Sequence, residues 1–131
     1  MVRKRIQLAQ NFFRDRRLVA SIVASSSISK DDIVYEIGPG EGIITQELAN
    51  RAGKVIAIEK DATLAMRLRN KFRDRDNVEV HDGDFLRYRI KEKNYKIFSN
   101  IPFNITAEIV KRILFGENPP DEAYLVLQKE A

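Results

Sequence analysis

The chain has no cysteine, no tryptophan and one histidine, His81, in 131 residues. Without cysteine there is no disulfide, no thiol nucleophile and no thiolate cluster. A lone histidine cannot build a zinc site, so no metal is expected. No apolar run approaches the roughly 18 residues of a membrane-spanning helix, and no signal-peptide pattern opens the chain. A cytoplasmic protein with no membrane partner is the expectation. There is no internal repeat and no linker. Glycine and proline are few, six and four, so their clustering is informative. Hydrophobic residues make up 44% and charged residues 32%, a balance that suits one globular domain with a real core.

Charge is unevenly spread. Net charge is +4, yet residues 1–30 hold seven basic side chains against Asp15 alone, and the rest carries a slight negative excess. Residues 1–14 read as a basic N-terminal arm on a domain spanning 15–131. Such an arm fits a phosphate backbone as partner, or serves only as a solubilising tail.

Half of the glycines and one proline fall in or beside one stretch, Ile33-Val34-Tyr35-Glu36-Ile37-Gly38-Pro39-Gly40-Glu41-Gly42. It reads as a buried strand, a glycine turn and then a helix, since Ile43, Ile44 and Leu48 follow at helical spacing. Such a turn lets backbone N–H groups approach a nucleotide-like ligand. Gly38 and Gly40 fit a dinucleotide fingerprint, but its third glycine would fall on Ile43. The pattern Glu36-x-Gly38-x-Gly40-x-Gly42 instead resembles the first motif of S-adenosylmethionine-dependent methyltransferases.

Further elements follow. Asp15 caps a helix to about Ser26, and a second helix covers roughly 43–51, closed by Gly53. Strands are expected at 54–59, 78–80, 95–100 and 123–128, and helices at 61–72 and 106–115. Near-continuous apolar strands alternating with helices predict an α/β, mainly parallel sheet covered on both faces. Ligands of such sheets sit at the carboxyl ends of the strands. The fifth strand, 123–128, would lie at an open edge, which predicts self-association through it.

Candidate site residues gather at those ends. Glu59, with Lys60 beside it, ends the second strand 21 residues after Gly38, where a carboxylate accepts from both hydroxyls of a ribose. Helix capping is the plainer role for such an acid. Asp84 could accept from an adenine amine with Phe85 against the ring, or simply make a turn. Asn100-Ile101-Pro102-Phe103 sets acceptors beside an aromatic face, which suits a flipped-out base with an exocyclic amine. An ordinary Asn/Pro loop beside a core Phe is the bland alternative.

Taken in order, Gln10-Asn11-Phe12, Glu36 to Gly42, Glu59, Gly83-Asp84, Asn100 to Phe103 and Leu127-Gln128-Lys129-Glu130 resemble the rRNA adenine N6-dimethyltransferase family over nearly the whole chain. The resemblance implies a Rossmann-like class I methyltransferase fold, S-adenosylmethionine as cofactor and rRNA as partner. It places Gly38, Gly40, Glu59, Asp84 and Phe85 on the cofactor, with Gln10, Asn11 and Asn100 toward its methionine end. Asn100, Ile101, Pro102 and Phe103 would hold the target adenine. Ile101 and Phe103 look like the macrolide-resistance branch, which methylates 23S rRNA. Gly38-Pro39-Gly40 and Leu127 to Glu130 look like the housekeeping 16S branch. The reading leans to 23S. The family continues past the fifth strand, so a truncated catalytic domain is expected. An NAD-dependent oxidoreductase and an inactive cofactor- or RNA-binding fragment are the rival readings.

Overall fold

A computed structural model describes residues 3–9, 15–102 and 106–128; for 3–9, 101, 102, 106, 127 and 128 it describes the backbone. The elements run β1 (Arg3–Ala9), α1 (Arg16–Ala24), β2 (Ile33–Ile37), α2 (Ile43–Arg51), β3 (Lys54–Glu59), α3 (Ala62–Lys71), β4 (Val78–Asp82), a single 3-10 turn (Phe85–Arg87), β5 (Lys96–Pro102), α4 (Thr106–Phe115) and β6 (Glu122–Gln128). No described helix is long and apolar enough to cross a membrane.

Local chemistry explains the boundaries. Asp15 Oδ1 accepts from Leu18 N at 3.1 Å and starts α1. Asp61 Oδ1 accepts from Thr63 N and Leu64 N at 2.8 and 3.1 Å and starts α3. A side-chain oxygen thereby satisfies amides that have no partner within the helix. Gly53 does follow α2, but not as a left-handed cap; only Gly38, Gly40 and Gly42 have positive φ. Its missing side chain makes room for Lys30, whose carbonyl oxygen would lie 2.3 Å from a Cβ there.

The six strands form one all-parallel sheet in the order β1-β6-β5-β2-β3-β4. The chain winds outward from β2 through β3 to β4, then returns to the other side of β2 as β5 and β6. That reversal puts the topological switch point between β2 and β5. One face buries Val34, Val55, Phe98 and Val126 against Val19 and Val23 of α1 and Ile44 and Leu48 of α2. The other buries Tyr35, Ile56, Ile58, Ile97 and Leu125 against Phe85 and against Ile109 and Ile113 of α4. This is the expected doubly covered Rossmann-like sheet.

Two expectations are corrected. Arg3–Ala9 is not a free arm but a strand, paired in parallel with β6 from Arg3↔Glu122 to Ala9↔Gln128. The predicted fifth strand, now β6, is therefore not an open edge. It pairs with β5 on one side and β1 on the other. Both of its rows of backbone groups are engaged, which removes the stated cause of self-association through it.

Candidate active site

The switch point fixes which residues meet. Ile37 of β2 is level with Ile58 of β3 and Ser99 of β5, and Glu59 is level with Asp82 of β4. One residue further along each strand come Gly38, Glu59 and Asn100. A Cβ on Gly38, at φ +67°, would sit 3.4 Å from the Asn100 backbone oxygen. Ser99, fully buried, donates to Ile37 O at 3.1 Å and locks the two strand ends together.

The third glycine has a packing reason. Gly42 caps α2 at φ +91°, and a Cβ there would lie 2.8 Å from Phe72 Cε2 and 2.9 Å from Leu68 Cδ2. Glycine at this position lets α3 pack against the start of α2. A Rossmann dinucleotide turn solves the same problem one residue later.

Two buried acids stand near this end of β2 and β3. Glu36 is 1% exposed. Its Oε1 accepts from the buried Thr45 hydroxyl at 2.5 Å, while Oε2 has no partner. Burial, reinforced by the nearby Glu59 charge, pushes its carboxyl up to about 8, although the Thr45 bond pulls the other way. Glu59, 7% exposed, spans two turns: Oε1 accepts from Gly40 N at 3.1 Å and Oε2 from Asp61 N at 2.9 Å. Glu59 is thus not the helix cap, a role Asp61 fills. It ties the glycine turn to the exit of β3, and each oxygen keeps a further lone pair. Lys60 is exposed beside it.

The remaining predicted residues divide. Asp84 is half-buried and its Oδ1 caps the 3-10 turn through Leu86 N at 3.0 Å. Phe85 is 4% exposed within the second core cluster, with the Arg112 guanidinium 4.5 Å above its ring. It is a core residue with the Arg112 guanidinium over one face of its ring. Asn100 is half-buried and its Oδ1 has no partner among the described residues. Ile101 and Pro102 continue β5 beside Leu127 and Gln128. Gln10, Asn11 and Phe103 lie outside the described residues. The register nevertheless brings Ala9, immediately before Gln10, level with Gln128 and Pro102 at this end of the sheet.

Sequence reasoning quoted Glu36 only as part of the glycine motif and missed Thr45, whose hydroxyl faces it across one turn of chain and helix. A threonine in the first turn of a helix that should otherwise be apolar inward was the available signal.

A parallel sheet of this order, with a glycine turn after the strand at the switch point and an acid closing the next strand, has the architecture of the class I methyltransferases. The family model for "Ribosomal RNA adenine dimethylase" matches residues 1–131, and the chain belongs to that family. It is 37% identical over 129 residues to a probable ribosomal RNA small subunit methyltransferase A of Methanopyrus kandleri, covering 98% of this chain and 46% of that protein. It is 36% identical over 129 residues to an rRNA adenine N-6-methyltransferase of Limosilactobacillus reuteri, covering 98% of this chain and 52% of that protein. Among solved structures, the 23S rRNA methyltransferase ErmE superposes with TM-score 0.76 at 38% identity, over 83% of this chain and 45% of that one. The chain spans about half the length of these relatives.

Proposed function

We propose that this chain carries the cofactor- and adenine-binding centre of an S-adenosylmethionine-dependent rRNA adenine-N6 methyltransferase. The observation that carries the reading is the unpartnered Asn100 Oδ1, buried at the end of β5 beside Gly38. A buried acceptor without a donor is costly, and an exocyclic amine supplies the missing hydrogens. The cofactor's cationic groups, ribose hydroxyls and adenine amine suit a strand-end crevice bordered by Glu59, Asp84 and Asn100. An acceptor-rich crevice matches a donor-rich, positively charged ligand better than a pyrophosphate.

When bound, S-adenosylmethionine supplies a methyl group activated by a sulfonium. The residues of this chain then have three tasks. Glu59 holds the turn at Gly40 and accepts from the ribose. Asn100 Oδ1, with the Ile101 carbonyl as second acceptor, draws the hydrogens of the target amine out of the ring plane and frees its lone pair. The same oxygens stabilise positive charge developing on that nitrogen. Alignment within the crevice supplies much of the rest. Pro102, the last residue of β5, fixes the backbone there, and Phe103 offers the base a face.

For the substrate we favour 23S over 16S rRNA, on Ile101 and Phe103. A small-subunit rRNA methyltransferase and the 23S rRNA methyltransferase ErmE match at similar identity, 37% and 38%. Transfer of labelled methyl to 23S and 16S rRNA, followed by mapping of the modified base, tests the reading. Label on adenine N6 of 23S rRNA is expected. Label only on 16S rRNA moves the chain to the housekeeping branch, and cofactor binding without transfer to either leaves a binding module.

A further inference from the structure

Between the 3-10 turn and β5 the chain runs back across the sheet as 87–95, alongside α4. Its burial alternates: Arg87, Arg89, Lys91 and Lys93 are exposed, while Tyr88, Ile90 and Glu92 are half-buried. The inward residues fasten the segment. Tyr88 packs 5.9 Å from the Tyr35 ring and 5.2 Å from His81. The Tyr35 hydroxyl donates to Glu92 Oε1. Asn118 Nδ2 donates to Ile90 O and Glu92 O at 3.2 and 2.8 Å. Four cations are thereby presented in a row on a backbone pinned at every second residue.

The row borders a groove of about 1030 Å³ lined by Arg89, Lys91, Lys93 and Arg112, with Glu117 as the one carboxylate in its wall. At its floor the Arg112 guanidinium lies over Phe85, donates through Nη2 to Tyr88 O, and keeps Nη1 buried without a partner. Burial pushes the Arg112 pKa down from its ordinary value, a cost that an anion in the groove would relieve. On the helix end that forms the far wall, Phe115 is 80% exposed. The row begins three residues after Asp84, so it leads from the rim of the candidate active site along the face of the molecule.

We propose that this groove is a docking track for an RNA phosphodiester backbone, with Arg89, Lys91 and Lys93 pairing successive phosphates and Arg112 a fourth. A groove lined by four cations and a single carboxylate suits a polyanion, and the reading of the chain as an RNA methyltransferase makes RNA the polyanion of choice. The inference rests on the reading of the chain as an RNA methyltransferase, but its test does not need methyl transfer.

The test compares the chain with an Arg89→Gln/Lys91→Gln/Lys93→Gln variant, all exposed positions. A control removes three exposed cations that do not line the groove, Arg51→Gln/Lys54→Gln/Arg73→Gln. Fluorescence anisotropy with a labelled RNA hairpin is read across a salt series, with binding of S-adenosylhomocysteine followed by calorimetry. The track variant should bind RNA at least tenfold more weakly at low salt. Its slope of log K against log salt should be shallower by about 2, with cofactor affinity unchanged and the control near the parent. Equal losses in both variants, an unchanged slope, or no RNA binding by the parent overturns the proposal. So does equally tight, equally track-dependent binding of polyglutamate. Track-dependent RNA binding without methylation of any rRNA would keep the track and remove the proposed activity; methylation by a track variant with unaltered RNA binding would do the reverse.

Discussion

The Glu59 carboxylate, at the last residue of β3, accepts a 3.1 Å hydrogen bond from the backbone N–H of Gly40, at the tip of the turn after β2. Its other oxygen holds Asp61 N at 2.9 Å. One side chain therefore sets the shape of the glycine turn and the entry to α3, before any ligand binds. Glu59→Ala should leave two amides without this acceptor and cost about 1–3 kcal/mol of stability. It should also weaken S-adenosylhomocysteine binding by more than tenfold. Thermal melts and calorimetric titration on the same variant check both. Full stability with intact binding would show that neither the turn nor the ligand depends on this carboxylate.

Glu36 gives a pH dependence of definite sign. Its folded pKa stands near 8 against 4.5 for an ordinary glutamate carboxyl, so between these values the folded state binds more protons than the unfolded one. Stability must then fall as pH rises from about 4.5 through about 8, by an amount on the order of a few kcal/mol. Glu36→Gln keeps the shape and a partner for Thr45 while removing the charge. It should flatten this slope and melt higher than the parent at pH 9. Parallel pH profiles for the two proteins, in denaturant titrations at pH 5, 7 and 9, would count against a buried, uncompensated Glu36.

At the opposite pole of the sheet, Lys96 closes a polar cluster. Its ammonium donates to Asp32 Oδ2 at 2.9 Å and Ser27 Oγ at 2.9 Å, and lies 3.5 Å from Glu122 Oε1. The cluster ties β2, β5 and β6 at their amino ends. Hydrogen bonds from Ser27 and Tyr124, and the Lys96 charge, outweigh burial and hold the Glu122 carboxyl below its ordinary value. Its contribution is therefore present above pH 4.5 and lost as pH falls through the lowered value. Lys96→Met should cost about 1–3 kcal/mol at pH 7 by leaving Asp32 and Glu122 without their cation. The cost should shrink under acid as the Glu122 carboxyl protonates. Urea titrations at pH 7 and pH 3 would reveal a constant cost if the cluster were only a surface ornament.

Much of this fold was readable because β2, β3 and β5 are buried on both faces. Their apolar runs leave no ambiguity of period, and Asp15 and Asp61 mark helix starts. β1 was hidden by its charge. Ile6 and Leu8 alternate with Arg5 and Gln7, a strand pattern, but the run of Arg3, Lys4 and Arg5 drew the eye to electrostatics. The alternation along 87–93 was hidden for the same reason: with every second residue cationic, the inward Tyr88 and Ile90 lie too far apart to read as a core. Phe85 and Thr45 depend on which neighbours the fold delivers, Arg112 and Glu36, and no local pattern encodes that.

The pairing of β1 with β6 can itself be tested. Deleting residues 1–9 would uncover one row of β6 backbone groups and Leu125 and Val126 near them. The deletion should lower the melting temperature and raise association in light scattering, because an exposed apolar edge recruits other chains. An equally stable monomer would show that β1 adds nothing to the sheet. Charge reversal at Arg3, Lys4 and Arg5 separates the strand from its charge. If the backbone pairing matters, that variant stays folded while its RNA affinity falls.

The decisive residue for chemistry is Asn100. If its unpartnered Oδ1 receives the target amine, Asn100→Ala removes an acceptor where positive charge develops, and comparable losses cost roughly 10²–10³ in rate. Some loss of cofactor affinity is also expected, since Asn100 stands beside Gly38. Deleting a hydrogen-bonded oxygen strands its donor, whereas Asn100 Oδ1 has no partner among the described residues to strand, so loss of this oxygen by itself should not lower the melting temperature. Phe103→Ala should lose base stacking worth about 1–3 kcal/mol, while Phe103→Tyr keeps the face and the activity. An ordinary turn asparagine beside a core phenylalanine predicts otherwise: both alanine changes lower the melting temperature, and neither selectively slows transfer. Single-turnover methylation and thermal melts on the same four proteins separate the two accounts. A folded, cofactor-binding Asn100→Ala protein with undiminished transfer would remove Asn100 from the mechanism.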